Sequence, residues 1–366
     1  MKGKIDGQFL LIDQHINMTL PPNQSSNPIV VIDIGARSGI QSLWTSSPHP
    51  VRVIGFEPDE SECCMLNSRQ QPSGCHGDTF GVTYYPVALG RVREKRKIYL
   101  YKDRRLSSFF LPNMNLLKHF PLDRLLMLEA FSIDAEAIVD CVPLDEFCHN
   151  EGINEVDFIK VDTQGSELEI LQGAQETLSK TIAVAVEVEF VPIYEGQPLF
   201  ADVDFFLRSQ GFSLFDLNRH WWKRMVDKEI DSRGQMIFAD ALYMRDLWNQ
   251  DESGPFWQSL HRDPSRVAKS AAIAGLFGYS DYAIDILKKC RQEQFINDRD
   301  YDFLKTQHVH FKDGKEGMKL SLLKKIARRF LPFLAIGDDS LKWTDRRYSH
   351  LLNERFYDND ESKDYR

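Results

Sequence analysis

The stretch that decides the fold is VVIDIGARSGIQSLW, from Val30 to Trp44. Its first half is a run of apolar, β-branched residues, which predicts a strand buried on both faces. Its second half has the spacing D-x-G-x-x-x-G, formed by Asp33, Gly35 and Gly39, before the start of a helix. A strand, a glycine turn and a helix in this order are typical of a site for a nucleotide-like cofactor.

The turn departs from the dinucleotide pattern G-x-G-x-x-G, in which the second glycine lets the backbone approach a diphosphate. Arg37 occupies that position here, and the carboxylate of Asp33 attracts a cation rather than a phosphate. The second strand, VRVIGFEP, ends at Glu57, 22 residues after Gly35, where an acid accepts hydrogen bonds from ribose hydroxyls. These features favour S-adenosylmethionine over a nicotinamide cofactor. A turn that serves only packing stays an alternative.

The composition bounds the class of protein. The chain has 366 residues and a formal net charge of −9, which argues against coating nucleic acid. Its six cysteines form no C-x-x-C pair, so a reducing compartment is expected. No apolar run reaches the roughly 20 residues that span a bilayer, and no secretory signal is recognised. We therefore expect a cytoplasmic protein, or one peripheral to the inner face of a membrane.

Apolar strands alternate with helical stretches from about Asn27 to Met244. The predicted strands are PIVVIDIG, VRVIGFEP, GVTYYPVALG, EVDFIKVD and TIAVAVEVEF, and the predicted helices run from Ile40 to Thr45, Glu60 to Arg69 and Ser166 to Leu178. GFSLFDL and QMIFADALYM read as an antiparallel hairpin. The alternation predicts an α/β fold, a Rossmann-like, doubly wound, mostly parallel seven-stranded sheet with an antiparallel edge hairpin.

Two further regions surround this sheet. Between the third and fourth strands lies an insertion in which KRKIYLY and AIVDCVPLDEF contain strands and the rest is loop; such insertions build the substrate side of open α/β sites. After the sheet, SRVAKSAAIAGLFGYSDYAIDILKKCRQ predicts an αα-hairpin. We divide the chain into a lead-in (1–26), a cofactor-binding domain (27–247) and a helical C-terminal extension with a polar tail (248–366).

A basic amphipathic helix is predicted near residues 318–331, in GMKLSLLKKIARRFLPFL. Its cations lie opposite an apolar stripe, a pattern that suits an anionic membrane surface. The alternative is a helix that packs on the domain with solvated lysines. The sequence does not predict an oligomeric state.

Several blocks together resemble the FkbM family of methyltransferases. They are VVIDIGARSG, GFEPDE, PVALG, VPLDEF, DFIKVDTQGSELEILQGA, EVEFVPIYEGQPLFADVDFFLRSQGFSLFDL and FADALYM. The resemblance covers roughly residues 27–244 and implies a class I S-adenosylmethionine-dependent O-methyltransferase, a family that often acts on sugar or polyketide hydroxyls. The common family form has Asn in place of Arg37 and Glu in place of Gln164. We assign cofactor binding to residues in these blocks, namely Asp33, Gly35, Arg37, Gly39, Glu57, Pro58, Ala88 and Asp162.

The catalytic prediction concerns carboxylates at the ends of two strands. Asp162 follows the strand FIKV, at the edge where open α/β sheets bind ligands. Glu187 and Glu189 are two residues apart on the fifth strand, so both face one side. We predict Asp162 and Glu189 as catalytic, either as general base for an acceptor hydroxyl or, as a further possibility, as ligands of a divalent metal. Alternatively, these carboxylates pair with Lys160, an arginine or loop amides.

Other residues receive structural or weaker roles. Ser166 and Glu169 have the spacing of a capping box. His119, His149 and His220 are candidate bases by residue type only. RRLSSFF, which contains Ser107 and Ser108, and RHWWKR, with Trp221 and Trp222 in the predicted hairpin turn, are candidate acceptor determinants, because aromatics stack on sugars and arginines bind anions.

We therefore predict methyl transfer to a hydroxyl of a small-molecule or glycan acceptor, with no nucleic-acid partner. Two alternatives stay open. One is a nicotinamide-dependent oxidoreductase on a similar sheet, and the other is a non-catalytic, cofactor-binding scaffold.

Overall fold

A computed structural model describes residues 27–45, 47, 49–69, 80–120, 128–224, 234–249 and 251–309. The predicted lead-in up to residue 26, the basic helix at 318–331 and the polar tail lie outside these residues, so those predictions and the possible membrane contact stay predictions. None of the helices within the described ranges is long and apolar enough to cross a membrane.

The main sheet has seven strands in the order β3-β2-β1-β7-β8-β10-β9. β10 runs in the direction opposite to the other six strands of this sheet, which confirms the predicted fold class and the edge hairpin. The strands in chain order are β1 (Ile29–Ile34), β2 (Val51–Phe56), β3 (Phe80–Tyr85), β4 (Ala88–Leu89), β5 (Glu94–Tyr101), β6 (Ile133–Val142), β7 (Phe158–Val161), β8 (Ala183–Glu189), β9 (Ser213–Trp222) and β10 (Gln235–Met244).

The α-helices follow the strands in the expected places. In chain order they are α1 (Ser42–Thr45), α2 (Glu60–Arg69), α3 (Met114–Leu117), α4 (Leu144–Asn150), α5 (Glu167–Gln172), α6 (Gln175–Leu178), α7 (Phe200–Ser209), α8 (Pro255–Arg262), α9 (Pro264–Leu276), α10 (Ser280–Gln292) and α11 (Asp298–Val309). The predicted αα-hairpin is confirmed as α9 and α10, and the predicted helix from Glu60 to Arg69 as α2.

The predicted helix from Ser166 to Leu178 is instead two short helices, α5 and α6. The break falls at Gly173, where a Cβ atom would lie 2.2 Å from the carbonyl oxygen of Gly90. The chain is glycine there because the backbone of the insertion approaches it too closely for a side chain. The helix predicted from Ile40 to Thr45 is shorter as well, since α1 begins at Ser42, and a separate 3₁₀ turn at Ala36–Ser38 precedes it.

Two hydrophobic layers sandwich the main sheet. On one face the sheet packs against α4, α5, α6 and α7. On the other face, apolar strand residues share one core with α1 and with the C-terminal helices α8 to α11. The predicted domain boundary at 247/248 stays a prediction, but these C-terminal helices provide one of the two layers that bury the sheet.

The insertion forms a second sheet, of three strands in the order β4-β6-β5. The sequence predicts strand segments in this region but not their pairing with each other. The hairpin also differs from its prediction, because Trp221 and Trp222 are the last residues of β9 rather than part of its turn. The strand continues through RHWW because these residues pair with the start of β10, Trp222 with Gln235 and Trp221 with Met236.

Candidate functional site

The glycine turn after β1 is shaped by a close approach of two strand ends. Gly35 has a φ of 81°, a left-handed conformation that L-residues disfavour. A Cβ atom at Gly35 would also lie 1.8 Å from the carbonyl oxygen of Asp162, after β7. The glycine therefore brings the ends of β1 and β7 together, and with them the two motifs that the sequence singles out.

A cavity of about 320 Å³ opens at this edge, between the carboxyl ends of the parallel strands and the insertion sheet. Its volume is in the range of small-molecule sites. Six of the predicted site residues line it, namely Gly35, Arg37, Glu57, Pro58, Ala88 and Asp162. The motifs are far apart in the chain, so their meeting in one cavity supports the sequence assignment.

The cavity has an apolar wall and a polar rim. Ile34 and Phe56 contribute to the apolar wall from the main sheet, and Ala88, Ile98 and Val139 contribute from the insertion sheet. Such a slot suits a flat aromatic ring such as adenine. The insertion therefore supplies a wall of the predicted cofactor site as well as covering the substrate side.

Glu57 is buried at the end of β2, next to this apolar wall. Its Oε1 accepts a hydrogen bond from the backbone N–H of Asp59 at 2.9 Å and lies 3.4 Å from Nη1 of Arg37. Burial raises the pKa of Glu57, although the Asp59 N–H and the Arg37 guanidinium act in the opposite direction. Both contacts involve Oε1, and Glu57 lines the cavity, where the sequence predicts a contact with the ribose hydroxyls.

Arg37 has a structural reason to replace the middle glycine of a dinucleotide turn. Its guanidinium contacts Glu57, Asp59 (3.2 Å) and Glu62 (3.6 Å). These pairs tie the 3₁₀ turn after β1 to the start of α2. Arg37 thus lines the cavity as a partner of the predicted ribose acid.

Asp33 and Gly39 are not among the cavity-lining residues. Asp33 is buried in β1, and its Oδ1 lies 3.2 Å from the ammonium of Lys160 on β7. Burial raises the pKa of Asp33 while Lys160 opposes the rise. The ligand cation that the sequence assigns to Asp33 is therefore replaced by an internal one, and Gly39 contributes a left-handed turn (φ 78°).

Asp162 lies at the rim of the cavity, with its side chain 23% exposed. One carboxylate oxygen, Oδ2, lies 3.5 Å from the ammonium of Lys160, and the other, Oδ1, accepts a hydrogen bond from Gln164 at 3.2 Å. Burial alone would lower the pKa of Lys160, but the carboxylates of Asp33 and Asp162 raise it. Lys160 therefore stays charged and links the two acidic motifs.

The predicted capping box at Ser166 and Glu169 is wrong. Ser166 donates to the hydroxyl of Thr163, and Glu169 pairs with Arg96 of β5. The turn is held instead by Glu167, whose carboxylate accepts from the backbone N–H groups of Thr163 (2.7 Å) and Gly165 (2.9 Å). The side chain of Glu167 turns back towards the preceding turn because these two backbone N–H groups point at it. Burial raises the pKa of Glu167 to about 7.

Glu187 and Glu189 lie on the same side of β8, as predicted, but neither lines the cavity. Oε1 of Glu187 accepts a hydrogen bond from Gln164 at 3.0 Å. Glu189 is 2% exposed, and burial raises the pKa of both carboxyl groups well above the usual value. The structure thus places Asp162 in the cavity wall and Glu189 behind it, so we do not retain Glu189 as a residue that touches substrate.

Metal ligation gains no support from these carboxylates. Among the residues that the structure describes, no group of three His, Cys, Asp or Glu side chains has the arrangement to hold a metal ion.

The segment RRLSSFF borders the cavity, whereas RHWWKR does not. Arg104, Arg105, Ser107 and Ser108 are lining residues. Arg104 pairs with Asp134 and Arg105 with Asp103, so both guanidinium groups contact carboxylates of the protein itself. Trp221 is 43% exposed elsewhere, and Trp222 packs with Phe120 and Phe238.

The candidate histidines are also absent from the cavity wall. His220 stacks on Phe238, with ring centroids 4.3 Å apart, and lies 3.6 Å from Asp240. Neither His119 nor His149 is a lining residue either. Of the two residues predicted as catalytic, Asp162 lines the cavity and Glu189 does not.

Comparisons with known proteins identify relatives of this chain. Residues 33–214 match the family model described as the methyltransferase FkbM domain. The 2-O-methyltransferase NoeI of Sinorhizobium fredii is 38% identical over 72 residues, which are 19% of this chain and 30% of NoeI. The methyltransferase sdnD of Sordaria araneosa is 24% identical over 242 residues, 60% of this chain and 87% of sdnD.

Among solved structures, the methyltransferase FkbM from Methylobacillus flagellatus KT is similar, with 17% identity and a TM-score of 0.34. That match covers 60% of this chain and 44% of the solved chain. The family match spans the glycine turn, Glu57, Ala88 and Asp162, which are the residues that meet in the cavity. The chain belongs to the FkbM family of methyltransferases.

Proposed function

We propose that this protein transfers a methyl group from S-adenosylmethionine to a hydroxyl group of a carbohydrate, glycan or related metabolite. The observation that carries the proposal is the single cavity in which Gly35, Glu57, Ala88 and Asp162 meet. Family membership favours methyl transfer over hydride transfer from a nicotinamide cofactor, which a similar sheet also supports. The name of NoeI, a 2-O-methyltransferase, supports oxygen as the acceptor atom.

The lining residues fit the cofactor in three respects. The cavity wall that includes Ala88 and Val139 has the apolar character that an adenine ring needs, and Glu57 offers a carboxylate for the ribose hydroxyls. The turn at Gly35 lies against Asp162 at the cavity, and we assign the amino-acid end of the cofactor to this part of the cavity. S-adenosylmethionine supplies an electrophilic methyl group on a sulfonium.

The contribution of the protein to this reaction is alignment and proton removal. Holding the acceptor oxygen in line with the methyl group lowers the barrier mainly through proximity and orientation. A hydroxyl must also lose its proton as its oxygen forms the new bond. Asp162 borders the cavity and receives charge-assisted contacts from Lys160 and a hydrogen bond from Gln164, so we assign it as the base that accepts this proton.

The first test is cofactor binding by isothermal titration calorimetry with S-adenosylmethionine and S-adenosylhomocysteine, with NADH as the competing ligand class. We expect binding of both adenosyl ligands and no heat from NADH. Binding of NADH alone would overturn the assignment.

The second test is transfer of tritium from S-[methyl-³H]adenosylmethionine to an extract of the cells that contain the protein. Chromatography of the labelled product identifies the acceptor, and alkaline hydrolysis separates an ether from an ester. A scaffold without activity would bind the cofactor but label nothing above the rate of a boiled control.

A further inference from the structure

Gln164 has an unusual backbone conformation beside the catalytic aspartate. Its φ is 59°, in the left-handed region, although it is not a glycine. The next residue, Gly165, also has a positive φ, of 108°. A long side chain in this conformation costs free energy, and such residues persist where the surroundings hold them in place.

The side-chain amide of Gln164 bridges two carboxylates. Its Nε2 donates one hydrogen bond to Oδ1 of Asp162, at 3.2 Å, and another to Oε1 of Glu187, at 3.0 Å. On the other side, its Oε1 lies 2.9 Å from the hydroxyl of Tyr194. The amide therefore uses both N–H donors and an acceptor position, and it connects the turn to β8 and to the segment after it.

The same residue also connects the catalytic turn to the insertion. The hydroxyl of Ser108 donates to the backbone carbonyl of Gln164 at 2.6 Å. The Tyr194 hydroxyl, which contacts the side chain of Gln164, lies 2.9 Å from the carbonyl oxygen of Leu106. The insertion loop is thereby connected to the carboxylate of Asp162 through the hydrogen bonds of Gln164.

In this chain the amide satisfies these partners with its two N–H donors and its carbonyl oxygen. A glutamate would lack both N–H donors, and its negative charge would be repelled by Asp162. A leucine would leave both carboxylates without this donor. Because Lys160 contacts the second oxygen of Asp162, Gln164 and Lys160 together hold both oxygens of this carboxylate.

We propose that Gln164 is a positioning residue for methyl transfer, which orients Asp162, keeps it apart from Glu187 and links both to the insertion loop. This inference rests on the proposed function, since it concerns the base of that reaction. It assigns Gln164 a role in the transfer step, distinct from cofactor binding.

The inference makes a prediction about pH for the variant Gln164→Glu. The new carboxyl would take over the contacts of the amide with Asp162, Glu187 and Tyr194. Lys160 on β7 pairs with Asp162, and the acids Glu167 on α5, Glu189 on β8 and Asp240 on β10 act on the neighbouring Glu187. Since acids predominate, its folded pKa will lie above the unfolded value, so the protonated form prevails at low pH. The protonated carboxyl donates one hydrogen bond in place of the two that the amide donates. This hydrogen bond is lost when the carboxyl loses its proton as the pH rises.

The bridge itself is tested without an acceptor, by thermal unfolding of the wild type, Gln164→Glu and Gln175→Glu from pH 5.5 to 8.5. Gln175 is an exposed glutamine on α6 and serves as the matched control. We expect the melting temperature of Gln164→Glu, relative to the wild type, to fall steadily as the pH rises. A flat difference equal to that of Gln175→Glu would overturn the bridge.

The role in transfer is tested with tritiated S-adenosylmethionine and the cell extract, at the same pH values. We expect Gln164→Leu to lose about 10- to 100-fold of the transfer rate at every pH, and Gln164→Glu to approach the wild type only at the lowest pH. Because Gln164 also lines the cavity, the S-adenosylhomocysteine affinity of each variant is measured in parallel, and the transfer rate should fall by a larger factor than the affinity. Wild-type transfer by Gln164→Leu overturns the positioning role alone, whereas a wild type that binds cofactor but transfers nothing overturns the proposed function and this role with it.

Discussion

Two clusters of buried charge lie at opposite ends of strand β7, and their charges are balanced differently. At the amino end, Asp157 is 0% exposed and contacts Arg266 at 3.1 Å and Lys269 at 2.9 Å. Both cations, which belong to α9, also contact Glu155. Two acids thus face two cations, and Asp157 in addition accepts a hydrogen bond from the backbone N–H of Val30.

At the carboxyl end of the same strand, acids outnumber their cation. Lys160 contacts both Asp33 and Asp162, while burial raises the pKa of Glu167, Glu187 and Glu189 nearby. Buried charge that is matched pair by pair serves to fasten elements together. Unmatched acids with raised pKa values at a cavity are typical of functional sites. The amino-end cluster thus fastens α9 to the sheet, whereas the carboxyl-end acids include Asp162, the proposed base.

The largest effect on stability is expected from Asp157→Asn. The substitution leaves Arg266 and Lys269 buried against a neutral amide, which costs about 3–5 kcal/mol when one partner of a buried pair is removed. The measurement is the free energy of unfolding from urea denaturation. Glu155→Gln is the matched control, because Glu155 contacts the same cations but is 31% exposed, and it should cost clearly less.

If both variants lose the same small amount, the amino-end cluster does not fasten the C-terminal helices, and its balanced charges are incidental.

A smaller effect is expected from Gly35→Ala at the carboxyl end. The new Cβ atom would meet the carbonyl oxygen of Asp162, and the positive φ adds strain, for a total of about 2–4 kcal/mol. Gly152→Ala is the control, since Gly152 has a φ of 66° but open space around it. Equal losses of unfolding free energy in the two variants would show that the close approach of β1 and β7 contributes nothing.

Local sequence patterns predicted Gly35, Glu57 and Asp162 as residues of the site, but they did not predict the hydrogen bonds of Gln164. The glycine turn and Glu57 are recognisable because a strand, its turn and the next acid follow one another in the chain. The bridge of Gln164 depends on Glu187 and Tyr194, which are 23 and 30 residues away, and no local spacing encodes it. The capping box failed for a related reason, because Arg96 on the insertion sheet pairs with Glu169.

The docking of α9 was equally out of reach of sequence patterns. Arg266 and Lys269 lie 109 and 112 residues from Asp157, and a helix with basic residues is usually solvated on that side. The periodicity predicted the helix correctly, but only the fold shows that its cations are buried.

A smaller effect, on the affinity for the cofactor, is expected from Glu57→Gln. Glu57→Gln removes the charged acceptor for the ribose, so the dissociation constant of S-adenosylhomocysteine should rise about tenfold, within the range for a hydrogen bond to a charged group. Because burial raises the pKa of Glu57, wild-type affinity should fall as the pH drops through that raised value, and the variant should lack this dependence. Calorimetry at several pH values measures both.

The matched control for Glu57 is Glu62→Gln. Glu62 also contacts Arg37 but does not line the cavity. An equal loss of affinity in this variant would assign the effect to Arg37 rather than to the ribose contact.

The smallest effect is expected from Arg37→Asn, a change of a few-fold in affinity for S-adenosylhomocysteine. Removing the guanidinium takes away one of the two influences that lower the pKa of Glu57. The loss should therefore be larger at low pH than at high pH, as titration calorimetry can show. A uniform loss at all pH values would mean that Arg37 contacts the ligand directly.

Asp162, at the carboxyl end of β7, is the proposed base for methyl transfer. The most direct measurement is the transfer of tritium from S-adenosylmethionine by Asp162→Asn at saturating cofactor. We expect the variant to bind S-adenosylhomocysteine within a few-fold of the wild type. Its transfer rate should be about 10²- to 10⁴-fold lower, as expected when a general base is removed. Transfer at the wild-type rate by Asp162→Asn would contradict this role.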